Sequence, residues 1–210
     1  DIGLPDDAPV LKIDRLQLST PMANIEGNAR FTPAGGLIDL DLPRFWLEDI
    51  ADFSLRVTPT DDQLRVSVIG SMMDASGLID PMLNYRPGGG QLPGGIDLDV
   101  ALEEVRLKGE ARLKDFSLDA FHNGLTLSSL TADGILGDNG RVEFRLDDNP
   151  QGLGKDLNLE TDRFGTLLNG LFGISSVSGG EANISGTMLQ NGPIVGQFNA
   201  SNIIVQDAPT

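Results

Sequence analysis

The sequence contains no cysteine, which excludes disulfides and thiolate metal sites and leaves the redox compartment open. It contains one histidine, His122, in Phe121-His122-Asn123-Gly124. One histidine and no cysteine cannot assemble a structural zinc site of the usual composition, and a lone histidine before a turn reads as a surface residue. Aromatic residues make up only 5% of the chain, so Leu, Ile and Val must carry the interior. Basic residues are also scarce: 15 Lys and Arg stand against 31 Asp and Glu, for a formal net charge of −16. Such a chain repels phosphate backbones and anionic membrane surfaces, which argues against nucleic acid as a partner. The acidity itself reads as solubility. No apolar run approaches the roughly 20 residues needed to span a bilayer, and no signal peptide opens the chain. Asp7-Ala8-Pro9 recurs at Asp207-Ala208-Pro209. The expectation is an internal piece of a longer chain whose leader or anchor lies outside this sequence.

What is present is alternation. Val142, Phe144 and Leu146 alternate with Arg141, Glu143 and Arg145, the period-2 pattern of a half-buried strand. The polar turn 147–152 leads to a second strand candidate, Leu157 to Thr161, predicting a hairpin. The period then changes: Phe164, Leu167, Leu168, Leu171 and Phe172 fall on one stripe of a short helix. Asp162 is its expected N-cap and Gly173 its stop. The same unit occurs earlier. Phe53, Leu55 and Val57 alternate, residues 58–62 turn, Leu64, Val66 and Val68 alternate back, and Leu78, Ile79, Met82 and Leu83 form a second helical stripe. An offset of 167 − 78 = 89 aligns the two helices, with Val66 against Lys155 as a mismatch. GNARF (27–31), GEARL (109–113) and GEANI (180–184) are a smaller echo. Repeats of this kind are the cue for arrays in which each unit covers its neighbour's edge.

Elsewhere, Leu11 and Ile13 followed by Leu16 and Leu18 change phase and predict a bulge. Ile25 to Phe31 and Ile38 to Leu42 alternate, and Phe45-Trp46-Leu47 is expected to anchor a corner. The segment 86–95, rich in Gly and Pro, is the strongest punctuation and is read as the only boundary. Residues 1–86 form the first hairpin and helix repeat, 87–95 the connection, and 96–210 the second repeat, continuous with the first. Ile96 to Leu102 resume alternation, read as continuing through Leu107, Ala111 and Leu113. Asn123-Gly124, Asp138-Asn139-Gly140 and Asn191-Gly192 are turn signals. The predicted class is mainly β: about a dozen short strands in repeated antiparallel hairpins, forming a long curved sheet, groove-like or sandwich-like, with two short amphipathic helices.

Size then constrains the arrangement. A dozen strands ~4.8 Å apart and ~20 Å long present a face on the order of 1,100 Å². Two ten-residue helices cover about 300 Å² of it. The remaining apolar face must curl on itself, meet a neighbouring segment, or enclose an apolar ligand.

No catalytic constellation stands out, and no enzyme, metal or cofactor is expected. Ser175, Ser176 and Ser178 have no candidate base. Asp61-Asp62, Glu103-Glu104 and Asp147-Asp148 are adjacent pairs, and adjacent strand residues point to opposite faces. Residues 152–156, GLGKD, match half of a calcium-binding nonapeptide once, with Asn158 where an aliphatic residue belongs. Gly88 to Gly90 lack the Lys-Ser or Lys-Thr of a phosphate loop. The aliphatic face remains: Leu98, Val100, Leu102, Leu127, Val142, Phe144, Leu146, Ile184 and Phe198. These residues make either ordinary sandwich core or an elongated groove for acyl chains, which needs only a continuous apolar surface at about 0.8 kcal/mol per buried methylene.

The runs 52–83 and 179–209 resemble the AsmA-like family, specifically its TamB and YhdP-like branch of bacterial envelope proteins. The features are a hairpin ending in Gly70, Met73-Asp74-Ala75 opening an amphipathic helix, a G-x-A-x-I-x-G strand at Gly180 to Gly186, and a strand ending in Asp207-Ala208-Pro209. The resemblance implies a long β-sheet bent into a trough, in a periplasmic protein anchored to the inner membrane outside this fragment. Its apolar interior would carry phospholipid to the outer membrane. Phospholipid acyl chains, flanking segments of the same chain and envelope proteins are the partners implied. The alternative expectation is a structural or adhesive β-sandwich module with no lipid ligand.

Overall fold

The structure is a computed structural model and describes residues 11–33, 36–60, 63–83, 94–152, 154–189 and 194–206. Twelve strands follow one another. The first five are β1 (Leu11–Thr20), β2 (Ala23–Phe31), β3 (Leu37–Leu47), β4 (Ala51–Thr60) and β5 (Gln63–Asp74). Helix α1 (Ser76–Leu83) precedes β6 (Gly95–Arg106), β7 (Arg112–His122), β8 (Leu127–Leu136), β9 (Gly140–Asp148) and β10 (Gly154–Thr161). Helix α2 (Phe164–Phe172) precedes β11 (Val177–Leu189) and β12 (Ile194–Val205). All twelve lie in one long curved sheet, in chain order from β1 to β12. Strands on both sides of the 87–95 connection belong to it. Among the described residues no second sheet packs on this one, and no helix is long and apolar enough to cross a membrane.

Every pairing is antiparallel except one. β5 and β6 run parallel, from Gln63 opposite Gly95 to Asp74 opposite Arg106. Antiparallel neighbours can be joined by a tight turn, but parallel ones need a crossover of a dozen or more residues. Residues 75–94, with α1 inside them, supply it. The Gly and Pro punctuation at 86–95 therefore falls between β5 and β6, with Gly95 opening β6; residues 84–93 lie outside the described set, as do Asn191 and Gly192. The strands are 8 to 13 residues long, where the size estimate assumed about six. Raising the mean strand length to ~35 Å enlarges the face to roughly 2,000 Å², while helices of 8 and 9 residues cover about 250 Å².

Several local expectations hold and others are corrected. Pairing of β1 with β2 slips between Ile13 and Leu16, the bulge that the phase change predicts. Phe45, Trp46 and Leu47 make no corner; they complete β3, with Phe45 stacked on Phe53 at 4.9 Å. Alternation does not run on through Leu107. A 3-10 turn at Lys108–Glu110 reverses the chain there, with Gly109 and Glu110 at positive φ. Asp162 does not cap α2: its carboxylate accepts the Arg141 N–H at 3.1 Å, while Thr161 Oγ1 accepts Arg163 N–H. Gly173 ends the helix in the left-handed region, as expected. Asp74 belongs to β5 and caps α1 from outside, accepting Ser76 N–H at 2.9 Å.

The largest buried cluster sits at one end of the sheet, where β6–β9 turn beneath the two helices, while Ala29, Leu42, Ala51, Val57, Leu146 and Ala182 are buried elsewhere in the sheet. It comprises Val100, Leu102 and Val105 of β6, Leu107 and Ala111 of the 3-10 turn, Leu113, Leu136 and Val142, with Ile79 of α1 and Leu167 of α2 above. The helical stripes are narrower than predicted. Leu78 and Phe172 stay about half exposed, at 50% and 52%. Ile79 and Leu167 are the buried pair, so burial aligns the helices at 167 − 79 = 88. Phe164, Leu168 and Leu171 are partly covered, and the side chains of Met82 and Leu83 lie outside the described set. The echo GNARF, GEARL, GEANI marks no common structure: Gly27 lies inside β2, Gly109 in the 3-10 turn, and Gly180 at positive φ inside β11.

Two buried glycines, absent from the apolar stripe, let α2 approach. A methyl on Gly165 would lie 2.6 Å from the Val177 carbonyl oxygen, and one on Gly170 would lie 3.0 Å from both Ala111 Cβ and Leu107 Cδ1. Replacing Gly165 by Ala should therefore cost about 1–3 kcal/mol despite the better helix propensity of Ala. Gly170→Ala should cost less, because side chains can give way. Leu136, which has no exposed surface, should lose about 2–5 kcal/mol on truncation to Ala. Urea titration followed by circular dichroism measures all three.

Candidate functional site: an apolar row across the sheet

Residues paired across neighbouring strands share a face, so the registers can be followed from edge to edge. Ile13 pairs with Ala29, Ala29 with Leu40, Leu40 with Val57, Val57 with Val66, and Val66 with Leu98 across the parallel joint. Leu98 then pairs with Ala120, Ala120 with Leu130, Leu130 with Leu146, Leu146 with Leu157, Leu157 with Gly186, and Gly186 with Gly196. Every one of the twelve strands contributes a residue, and none of these has a polar side chain. A second row runs beside it on the same face from Leu42 and Leu55 through Val68, Val100, Leu118, Ala132, Phe144 and Leu159 to Ile184 and Phe198.

All nine residues singled out from the sequence fall on this face. Leu98 and Leu146 lie in the first row, and Val100, Phe144, Ile184 and Phe198 in the second. Leu102 and Val142 stand one step nearer the helices, opposite Phe116 and Gly134. Leu127 reaches the face through a slip between β7 and β8 that sets it opposite His122, itself opposite Ile96. His122 is therefore a half-buried member of the apolar face near its far end, where its Nδ1 accepts the Gly124 N–H at 3.1 Å. Phe198 meets Phe164 of α2 at 5.4 Å. The residues that complete the rows, such as Val57, Ala120 and Leu130, carry the same alternation signal but need the register to be joined to the nine.

The opposite face is charged, and its charges pair across the same registers. Arg30 donates to both oxygens of Asp39 at 2.7–2.9 Å, Arg56 to Asp41 at 3.1 Å, and Arg65 to Asp97 at 3.1 Å across the parallel joint. Ser117 donates to Asp133 at 2.7 Å and Asn183 to Glu160 at 2.9 Å. Each is a directly opposed cross-strand pair. Near the helices Glu104 accepts from Arg106 at 3.0 Å and from Arg112 at 3.3 Å, and Arg106 reaches the Asp49 carbonyl. Lys108 bonds Asp80, tying α1 to the 3-10 turn between β6 and β7. A hollow of about 360 Å³ where the end of β10 meets the middles of β11 and β12 is lined by Glu160, Asp162 and Glu181 with Asn183 and Asn199. Among the described residues no group of three or more His, Cys, Asp or Glu is placed to hold a metal ion.

The arrangement can hold something extended and apolar on one side while presenting water with paired charges on the other. No family model matches the chain, and no curated protein or solved structure matches it either.

Three of the polar contacts set a pH limit. A bond to Arg30 holds Asp39 below the usual carboxylate range, a bond to Ser76 does so for Asp74, and one to Arg106 for Glu104. A lowered folded-state pKa contributes stability in full above the unfolded value near 4 and loses it as pH falls through the folded value. The melting temperature should therefore stay level from about pH 5 upward with respect to these groups and fall below about pH 4. Glu104→Gln should reduce that acid-limb loss, as differential scanning fluorimetry across pH would show.

Proposed function

We propose that this chain is a non-enzymatic section of a periplasm-spanning AsmA-like protein whose apolar trough carries phospholipid between inner and outer membranes and so supports envelope biogenesis. The observation that carries the proposal is the unbroken apolar row from Ile13 to Gly196, met on every strand. A fold that needed only a core would concentrate its aliphatic residues beneath the helices. Here the row continues over roughly 2,000 Å² of face, far beyond the ~250 Å² the helices shelter. A hydrocarbon tail is the guest that such a strip suits, since each methylene gains about 0.8 kcal/mol from any apolar contact without polar groups to place it. Headgroups would remain at the open side, in water.

The resemblance at 52–83 and 179–209 points the same way. It supports a periplasmic location in a protein anchored to the inner membrane by a segment outside this sequence, with flanking segments and envelope proteins as further partners. The rival reading, a structural or adhesive β-sandwich module, calls for a second sheet, and all twelve strands belong to one.

Native mass spectrometry and solvent extraction of the purified chain test the proposal. Phospholipid should copurify, and Phe144→Asp should reduce the lipid load several-fold while the β-sheet circular dichroism persists. Leu136→Asp, in the core, should instead abolish folding, because an unpaired buried charge costs several kcal/mol. A lipid-free wild-type chain that takes up none from phospholipid vesicles would overturn the proposal.

A further inference from the structure

Toward the rim away from the helices, the outermost row of the apolar face is interrupted. From β4 it passes from Pro59 to Leu64, from Leu64 to Ile96 and from Ile96 to His122, and at the other side from Lys155 to Met188 and from Met188 to Ile194. Between these apolar flanks four successive strands place polar side chains: His122 of β7, Ser128 of β8, Asp148 of β9 and Lys155 of β10. Lys155 stands opposite Asp148, and two residues further along the same strands Leu157 stands opposite Leu146, so this ion pair shares the face of the apolar rows. Ser128 alternates with Leu130, and its hydroxyl donates to the Asp148 carboxylate. The turn joining β9 to β10 lies at the rim opposite α2, which follows the other end of β10.

A lysine in an apolar row is tolerated only when its charge is paired or reaches water. The Lys155 side chain is 16% exposed and that of Asp148 60%, so the lysine stem covers the apolar face while its ammonium reaches a carboxylate in water. The hairpin is held by other contacts. Asn149 N–H donates to the Gly154 carbonyl at 2.9 Å, and on the opposite face Asp156 accepts from Asn149 Nδ2 and from Thr187 Oγ1, each at 2.8 Å. A lysine ammonium carries three donors, of which Asp148 takes one among the described residues. Positive and negative charge thus stand side by side at the mouth of the apolar rows, one strand spacing or ~4.8 Å apart. The phosphate and ammonium of an ethanolamine headgroup, separated by two carbons, span a similar distance. Leu146 and Leu157 lie directly behind the pair, where acyl tails would begin. A headgroup of net negative charge would be repelled by a chain of −16, whereas a zwitterionic one adds no net charge.

We propose that Lys155, Asp148 and Ser128 form a headgroup site for a zwitterionic, amine-bearing phospholipid, with Lys155 on the phosphate and Asp148, steadied by Ser128, on the ammonium. The site presupposes the lipid-carrying trough described above. It adds which lipid is loaded and where the polar end sits: at the rim opposite the helices, with the tails across the apolar rows.

Native mass spectrometry tests the site on the purified chain after incubation with neutral-detergent micelles. The micelles hold equal amounts of phosphatidylethanolamine, phosphatidylglycerol and diacylglycerol with the same acyl chains. Phosphatidylethanolamine should load several-fold over the other two. Lys155→Met, which keeps an apolar stem, should abolish the preference over diacylglycerol while diacylglycerol loading and the β-sheet circular dichroism persist. Asp148→Asn, at an exposed position, should leave the fold intact and bring phosphatidylethanolamine level with phosphatidylglycerol. Equal loading of all three lipids by the wild type, a preference for phosphatidylglycerol, or a wild-type ratio in either variant would overturn the site and leave the trough standing. A Lys155→Met chain that loses diacylglycerol as well would also overturn it, by showing that the residue supports the fold and not the headgroup. A wild type that loads none of the three removes the trough and the site together. Glycerophosphoethanolamine, the same headgroup without tails, should fail to displace the lipid. If it binds the wild type as well as the lipid does, the site belongs to a soluble phosphate ester and the lipid assignment falls.

Discussion

The register between neighbouring strands is the constraint on which the rest of this molecule depends. Side chains alternate across a sheet with a period of two, so a one-residue slip in any pairing would turn that strand's apolar set toward water and its charges toward the apolar side. Eleven pairings in succession avoid this, and the sheet is apolar on one side from β1 to β12 and polar on the other, with charges on every strand but β12. The polar side helps hold the alignment, because Arg30 with Asp39, Arg56 with Asp41 and Arg65 with Asp97 meet only in the observed register. Where the alternation of one strand is out of step with its neighbour, a bulge restores it, as between Ile13 and Leu16 or between Phe121 and His122.

Burial is uneven along the strands. The helices, the 3-10 turn and the strand ends beneath them concentrate the deepest burial, around Leu136. Gly165 and Gly170 allow that packing, and Asn169 and Asp80 tie the helices to the reversal at Lys108–Glu110. Along the rows burial is patchier, with Ala29, Leu42, Val57 and Leu146 buried and residues such as Phe198 exposed. A sheet anchored firmly at one rim can leave its remaining surface to a guest, which a closed sandwich cannot.

Much of this was legible from residue order. Alternation in stretches such as 53–57, 64–68, 96–102 and 142–146 marks strands because the pattern is local, and all nine apolar residues singled out from it share a side. The parallel joint between β5 and β6 was not legible, since alternation is the same whichever way the neighbour runs. Nor was the reversal at Lys108–Glu110, where Leu107, Ala111 and Leu113 keep an apolar rhythm through a turn. Helix packing was half legible: the stripe marked Ile79 and Leu167, but the approach of α2 depends on glycines, which carry no hydrophobic signal. His122 read as a surface residue because a lone polar side chain before a turn gives no sign of the neighbouring strand; its place on the apolar face follows from its register with Ile96.

The parallel joint has a mechanical consequence. With one parallel pairing among eleven, the polypeptide enters β1 at one rim and leaves β12 at the opposite rim, diagonally across the sheet. Tension transmitted through the two ends would pull each outer strand lengthwise along its neighbour, loading its ladder of hydrogen bonds together. In a wholly antiparallel meander of twelve strands both ends would emerge at the same rim, and the same pull would peel the outer strands open one bond at a time. The crossover that contains α1 thus turns an easily unzipped sheet into one that resists being stretched.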